Sequence, residues 1–92
     1  MGKFRIEIAK NAKQDFDKIY KSGHKASIRK LETIVGELAE HPFTGTGNPE
    51  QLRHRLAGYW SRRINKKDRL IYEIIEEPEH KVVIVSALGH YQ

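Results

Sequence analysis

The side chains that could do chemistry in this sequence are mostly acids, bases and cations in its second half. They include carboxylate, guanidinium, imidazole and phenol groups: Glu50, Arg53, His54, Arg62, Arg63, Arg69, His90 and Tyr91. Such a set could cleave RNA without a metal, because a base can deprotonate a 2′-hydroxyl and an acid can protonate the leaving 5′-oxygen. Cations would stabilise the phosphorane. The residue types allow nuclease chemistry, but they do not show that the groups converge.

Motifs of several other enzyme classes are absent from the sequence. It has no HExxH, no Walker loop and no GxSxG. The short run Gly45-Thr46-Gly47 predicts a turn rather than a phosphate loop. The five histidines are scattered, with no pair at ligand spacing on one element, so we expect neither a catalytic metal nor a cofactor. Without cysteine, disulfides and thiolate metal sites are impossible.

Positive charge is concentrated in residues 53–69. The chain has 17 Lys and Arg against 12 Asp and Glu. Seven of the basic residues fall in this segment of 17 residues, where Asp68 is the one acid. Basic clusters favour polyanions because neutralised phosphates release counterions. The segment indicates a nucleic-acid ligand, although charge alone also fits a solvated surface.

The sequence shows no sign of a secreted or membrane protein. Residues 1–6 contain no long apolar run, so they do not form a signal peptide. No stretch approaches the roughly 20 apolar residues of a membrane span. We expect a cytoplasmic protein with one domain that covers residues 1–92, a length within the usual range for a domain.

Hydrophobic periodicity predicts one strand and two helices in the first half. Phe4, Ile6 and Ile8 alternate with charged residues, which predicts a strand over residues 3–8 with one buried face. A first helix is predicted after a cap at Asn11, and Ser22-Gly23 ends it. A second helix is predicted over residues 24–40. The two helices are expected to form an antiparallel hairpin that covers a sheet.

The second half predicts a loop and then consecutive strands. Residues 41–50 hold two Pro and two Gly without periodicity, as a loop does. Strands are predicted over 52–56, 59–65, 69–75 and 82–87, with turns between them. The predicted class is α+β, in the order β-α-α-β-β-β-β, with a mainly antiparallel sheet. Hairpins would gather the basic residues of 53–69 on or beside one sheet face.

Three segments resemble the signature of the YoeB/Txe toxins of the RelE/ParE superfamily. They are PFTGTGNPEQLRH with LAGYWSRRI in residues 42–64, DRLIY in residues 68–72, and the ending His90-Tyr91. The similarity is dense over residues 41–75, whereas the N-terminal helices agree in layout more than in sequence. The resemblance implies a RelE-like fold and a toxin of a type II toxin-antitoxin system.

The resemblance also implies an activity: a metal-independent endoribonuclease that cleaves mRNA in the ribosomal A site. It implies a general base at Glu50, a transition-state cation at Arg69 and a general acid at His90. Tyr91 would help to place the substrate. Four residues would grip RNA: Arg53, His54, Arg62 and Arg63. The chain departs from the family in its last residue, because Gln92 follows the His-Tyr ending.

Partners follow from the same resemblance. The family implies a YefM-like antitoxin, whose acidic and apolar segments would suit a basic groove. The complex would repress its own operon, with operator DNA bound only through the antitoxin. The 70S ribosome and its mRNA are the expected substrate assembly. Relatives include homodimers, and no membrane partner is implied.

Two other functions stay open from the sequence. A ParE-like gyrase poison on the same fold would need neither acid nor base, and the presence of Glu50, Arg69 and His90 argues against it. A non-catalytic nucleic-acid-binding or corepressor module would depend on Arg53 and Arg62 but not on Glu50. Fold alone does not decide among these functions.

Overall fold

The computed structural model describes residues 3–88. Within them the elements follow the order β-α-α-β-β-β-β, with a short 3₁₀ helix after the second strand. They are β1 Arg5–Ile8, α1 Lys10–Ser22, α2 Lys25–Leu38, β2 Glu50–Gln51, the 3₁₀ helix His54–Leu56, β3 Tyr59–Arg63, β4 Arg69–Ile75 and β5 Lys81–Ser86. No helix in this part of the chain is long and apolar enough to cross a membrane.

The five strands form one sheet in the order β1-β5-β4-β3-β2. β1 pairs with β5 in parallel, and the other three pairs are antiparallel. The parallel pair arises because the helix hairpin carries the chain away from β1, and the last strand then returns beside it. The predicted α+β class with a mainly antiparallel sheet is confirmed.

Both helices pack on one face of the sheet and form the core there. The buried apolar side chains of this layer include Ile19, Leu31, Ile34, Leu38, Leu70, Tyr72, Val82 and Ile84. Full burial of such a side chain contributes roughly 1.5–3 kcal/mol. The other sheet face, here called the outer face, receives the alternate residues of β2, β3 and β4, because neighbouring side chains of a strand point to opposite faces.

The helix ends agree with the predictions except at the first cap. α1 begins at Lys10 after Ala9, and no side chain caps it, so the predicted cap at Asn11 is wrong. Gly23 ends α1 with φ 70°, a left-handed conformation that glycine adopts without a steric cost. At the start of α2, the His24 ring accepts a hydrogen bond from the Ser27 amide.

The predicted strand over residues 52–56 is wrong. The chain leaves the sheet after Gln51, buries Leu52 and turns through the 3₁₀ helix before it returns as β3. His54 has φ 60°, which is incompatible with an extended strand. Leu52 donates a backbone hydrogen bond of 2.9 Å to Tyr59, so the turn is closed at its base. The alternation of Leu52, His54 and Leu56 was therefore a misleading signal.

Candidate active site

The outer face brings together the two predicted catalytic residues that the structure describes. Glu50 on β2 is paired with Ser61 on β3, and Arg69 opens β4 opposite Arg63. The side chain of Arg69 crosses β3, so that its Nη1 lies 3.4 Å from Glu50 Oε1. The Glu50 side chain is 57% exposed and that of Arg69 is 29% exposed. Exposed ion pairs contribute only about 0–1 kcal/mol, so a substrate phosphate can compete for Arg69.

Ser61 lies at the floor of this arrangement. It is fully buried on the outer face, between its register partners Glu50 and Ile71. Within residues 3–88, no group forms a hydrogen bond with its hydroxyl.

A depression of about 520 Å³ adjoins Glu50 and is lined by residues 50–56. Arg53, His54 and Arg55 are exposed there. These three consecutive basic residues, here called the rim residues, lie where the left-handed conformation of His54 turns the chain sharply at a cost in free energy. The resemblance to the family predicted RNA contacts for Arg53 and His54. The structure shows that Arg55 lies at the same rim.

Arg63 extends the positive surface along the outer face. It is exposed and is the register partner of Arg69 on the neighbouring strand. Like charges directly opposite each other across two strands are unfavourable. An anion bound between Arg63 and Arg69 would relieve that repulsion, so the pair suits a phosphate of the RNA backbone.

Arg62 does not belong to this surface. Its side chain is fully buried on the helix side of the sheet, where it pairs with Glu37 at 2.7 Å. A guanidinium without exposed surface does not grip RNA, so we correct the predicted RNA contact of Arg62 and assign the residue a structural role. The alternation of side chains along β3 could have predicted this burial. Arg62 shares a sheet face with Trp60, whereas Ser61 and Arg63 point to the other face.

The aromatic side chains near the site pack against each other. Trp60 contacts Phe43 edge to face, with ring centroids 5.5 Å apart and an interplanar angle of 75°. Trp60 also packs against the core, whereas Phe43 is 43% exposed. Packing against Phe43 and the core therefore accounts for the position of Trp60.

His90 and Tyr91 lie outside the described residues, and their roles stay predictions. The last described segment is anchored to α1. Asp15 Oδ2 accepts hydrogen bonds from the amides of Ala87 at 3.0 Å and of Leu88 at 3.2 Å. Asp15 was not singled out from the sequence, where it is one of several acids in a charged helix.

Comparison with family models and with related sequences shows the family of this chain. The model of a family described as a YoeB-like toxin of bacterial type II toxin-antitoxin systems matches residues 9–91. A YoeB toxin from Streptomyces coelicolor is 36% identical over 87 residues, which cover 95% of this chain and 99% of that relative. The YoeB dimer from Staphylococcus aureus has a TM-score of 0.78 at 29% identity, over 97% of this chain and 99% of that one.

A complex is also among the similar structures. The YoeB–YefM complex from Staphylococcus aureus matches with a TM-score of 0.75 at 29% identity, over 96% of this chain and 98% of that chain. This chain therefore shares its layout of two helices on a five-stranded mixed sheet with these solved toxins.

Proposed function

Because the chain belongs to the YoeB-like toxins of bacterial type II toxin-antitoxin systems, we propose that it is a ribosome-dependent endoribonuclease that cuts mRNA in the A site. The observation that carries the proposal is the Glu50–Arg69 pair on the outer face, where a carboxylate and a guanidinium lie 3.4 Å apart beside exposed basic residues. A carboxylate to take a proton and a fixed cation to stabilise a phosphorane are two of the three groups that the reaction needs.

The reaction follows from these groups. Glu50 takes the proton of the 2′-hydroxyl, and the 2′-oxygen attacks the adjacent phosphorus. Arg69 stabilises the extra negative charge on the phosphorane. The bond to the 5′-oxygen then breaks, with a proton supplied by His90, and leaves a 2′,3′-cyclic phosphate and a 5′-hydroxyl. Tyr91 would help to hold the substrate. The steps balance without a metal or a cofactor.

Dependence on the ribosome has a physical reason. A carboxylate is a weak base for a hydroxyl at neutral pH, so basicity alone would give slow cleavage. The depression beside Glu50 is open rather than closed around a substrate. A ribosome that holds the mRNA in line would supply the positioning that this surface lacks, and positioning contributes up to about 7–11 kcal/mol to a barrier.

The rim residues would hold the RNA. Arg53, His54 and Arg55 are exposed at the depression that adjoins Glu50, and Arg63 is exposed on β3 opposite Arg69, which supports an RNA-binding role for these residues. Contacts of this kind go mainly to phosphates and are not specific for sequence. Selection of the cut site would therefore rest with the ribosome and the codon in its A site.

The proposed partners are a YefM-like antitoxin and a second toxin copy. The toxin of Staphylococcus aureus occurs in a complex with YefM and as a dimer. In this chain, the exposed cations around the depression would attract acidic antitoxin segments. We extend the proposal to residues 1–92 as one toxin domain in the cytoplasm, with operator DNA bound only through the antitoxin.

The test is a cell-free translation reaction with mRNA 5′ ends mapped by primer extension. Antitoxin-free protein is compared with Glu50→Gln and with Glu76→Gln, a matched change at an exposed acid in the loop after β4. We expect new ends within A-site codons for the unchanged protein and for Glu76→Gln. We expect these ends to be strongly reduced for Glu50→Gln, which keeps only a slow residual cleavage, and absent when ribosomes are omitted. Intact mRNA in the presence of folded, antitoxin-free protein would refute the proposal and favour a gyrase poison or a binding module.

A further inference from the structure

The loop between α2 and β2 has no regular secondary structure, yet a buried side chain binds its backbone. Arg62 is fully buried on β3. Its Nη2 donates to the carbonyl oxygens of His41 and Thr44, both at 2.8 Å. Its Nη1 donates to the carbonyl oxygen of Thr46 at 3.4 Å. Three carbonyl groups of residues 41–49, called the 41–49 loop, therefore converge on one guanidinium.

Two more side chains extend this attachment. Glu37 on α2 accepts hydrogen bonds from Arg62 at 2.7 Å, from the Thr46 amide at 2.8 Å and from the Thr46 hydroxyl at 2.6 Å. Tyr72 on β4 accepts a bond of 3.1 Å from Arg62 Nε and donates one of 2.9 Å to the Pro42 carbonyl oxygen. The loop is thus attached to a helix and to two strands through the same cluster.

This attachment ends beside the proposed general base. The carbonyl oxygen of Gly47 accepts a bond of 2.7 Å from the Arg63 amide, and Glu50 follows three residues later. β2 consists of Glu50 and Gln51 alone, which is shorter than the usual strand of 3–10 residues. So short a strand does not fix its own register securely. The anchored loop supplies the missing constraint.

We propose that Arg62 is a positioning residue that, with Glu37 and Tyr72, holds the 41–49 loop from inside the core and so sets the Glu50 carboxylate over the outer face. The inference rests on the proposed nuclease function for the proton transfer by Glu50. The inference assigns a role to Arg62, the buried cation of residues 53–69, which is not exposed to contact RNA.

Arginine is required at this position because of its geometry. Its planar group directs five donors in fixed directions, whereas lysine has three donors on one nitrogen. Lysine would keep the charge beside Glu37 but would not reach all the acceptors, from the Tyr72 hydroxyl to the Thr44 carbonyl. Misplacement of a catalytic group by about 1 Å costs about a hundredfold in rate.

The experiment measures single-turnover cleavage by Arg62→Lys on ribosomes programmed with mRNA. The matched control is Ile84→Val, which loosens the fully buried core at β5 without a change in the 41–49 loop. We expect Arg62→Lys to lower the rate at saturating ribosomes by about ten- to a hundredfold and to leave the half-saturating ribosome concentration unchanged. We expect Ile84→Val to change neither. Cleavage at the full rate by Arg62→Lys would overturn the proposal.

A double variant separates positioning from a general loss of structure. In a Glu50→Gln background, Arg62→Lys should cause no further loss, because it acts through Glu50. If the fold-losses in cleavage rate of the two single variants multiply in the double variant, Arg62 acts independently of Glu50, and the proposal is refuted. If Arg62→Lys does not fold, Tyr72→Phe removes one hydroxyl from the cluster and should give a smaller loss with the same dependence on Glu50.

Amide hydrogen exchange tests the same claim without activity. Arg62→Lys should accelerate exchange at the Thr46 amide, and Ile84→Val should not. If the unchanged protein leaves ribosomal mRNA intact, the nuclease proposal fails, and exchange alone decides whether Arg62 holds the loop. Unchanged exchange at Thr46 in Arg62→Lys would refute the positioning role, whatever the protein cleaves.

Discussion

At the scale of single residues, the Glu50–Arg69 pair joins two strands that are not neighbours in the sheet. β3 lies between them, and the long Arg69 side chain crosses it. The pair is partly exposed, so its contribution to stability is small, at about 0–1 kcal/mol. In the proposed mechanism, the pair places a cation where negative charge would develop during the reaction. A phosphate that enters would take over part of the hydrogen bonding of Arg69.

The geometry of the guanidinium predicts the effect of a conservative change. Arg69→Lys keeps the charge but loses the planar pair of donors that suits phosphate oxygens. We expect the single-turnover rate of ribosomal cleavage to fall by about ten- to a hundredfold, with little change in the thermal unfolding midpoint. Arg29→Lys, at an exposed position on α2, is the control. Equal rates for the two variants would contradict the role of Arg69.

The sequence allowed these residue types to be found but not their partners. Glu50 and Arg69 were identified through the resemblance to the family, because an exposed acid in a loop carries no signal of its own. Arg62 was misassigned because it stands among exposed cations in the basic segment. Its burial depends on Glu37, which lies 25 residues earlier. Periodicity within one element does not reveal a contact of this kind.

At the scale of elements, the 41–49 loop is the part that positions the site. Gly47 has φ 89°, and a Cβ there would lie 2.9 Å from the carbonyl oxygen of Arg63. Both the backbone conformation and the close approach to β3 therefore require glycine. The loop joins β3 at this point, next to the start of β2.

A pair of alanine substitutions tests this requirement. Gly47→Ala should lower the free energy of unfolding by about 1–3 kcal/mol, because it strains the backbone and collides with β3. Gly36→Ala, in α2, meets no atom within 4 Å and should raise the free energy of unfolding by about 0.5–1 kcal/mol. Chemical denaturation measures both values. A Gly47→Ala protein as stable as the unchanged one would refute the close approach.

The pKa of Glu37 gives the attachment of the loop a dependence on pH. Burial alone would raise this pKa, but hydrogen bonds from Thr46 and Arg62 outweigh burial and lower it below the ordinary value of 4.5. A carboxyl with a lowered pKa stabilises the fold above its unfolded pKa, and this contribution is lost as pH falls through the folded pKa.

The unfolding free energies of the unchanged protein and of Glu37→Gln should therefore differ most near neutral pH. The difference should shrink as the pH falls below about 4.5, because glutamine does not titrate there. Denaturant titrations at about pH 7 and about pH 3 measure it. A difference that is equal at both pH values would show that the charge of Glu37 does not hold the loop.

Most elements could be predicted from the sequence because their hydrophobic patterns are long. Both helices and the strands β3, β4 and β5 fall within a few residues of the predicted positions. The strand predicted over residues 52–56 failed because three alternating residues are a short pattern and His54 adopts a left-handed conformation. The parallel pairing of β1 with β5 was not predicted, because it joins the two ends of the described chain.

At the scale of the whole molecule, the positive charge of residues 53–69 is divided between the interior and two surfaces. Arg62 is inside, the rim residues and Arg63 lie by the outer face, and Lys66 and Lys67 lie beside a second depression near the α1–α2 turn. The net charge of +5 then favours approach to a polyanion such as the ribosome. The basic segment is continuous in sequence but not in space.

This distribution predicts how salt affects binding to ribosomes. Arg53→Gln should weaken binding and reduce the slope of log affinity against log salt concentration by about 1, because one phosphate contact is lost. Lys25→Gln, at an exposed position on α2, should leave the slope unchanged. Sedimentation with ribosomes over a range of salt concentrations measures both. Equal slopes for the two variants would remove Arg53 from the RNA-binding surface.

In the proposed mechanism, Glu50 activates a 2′-hydroxyl of ribosome-bound mRNA. The most direct measurement compares single-turnover cleavage of two programmed ribosome complexes, one with ribose and one with 2′-deoxyribose at the nucleotide before the scissile phosphate. We expect the ribose complex to be cut to a 2′,3′-cyclic phosphate and the 2′-deoxy complex to remain intact. Cleavage of the 2′-deoxy complex at a similar rate would contradict the mechanism and the role of Glu50 in it.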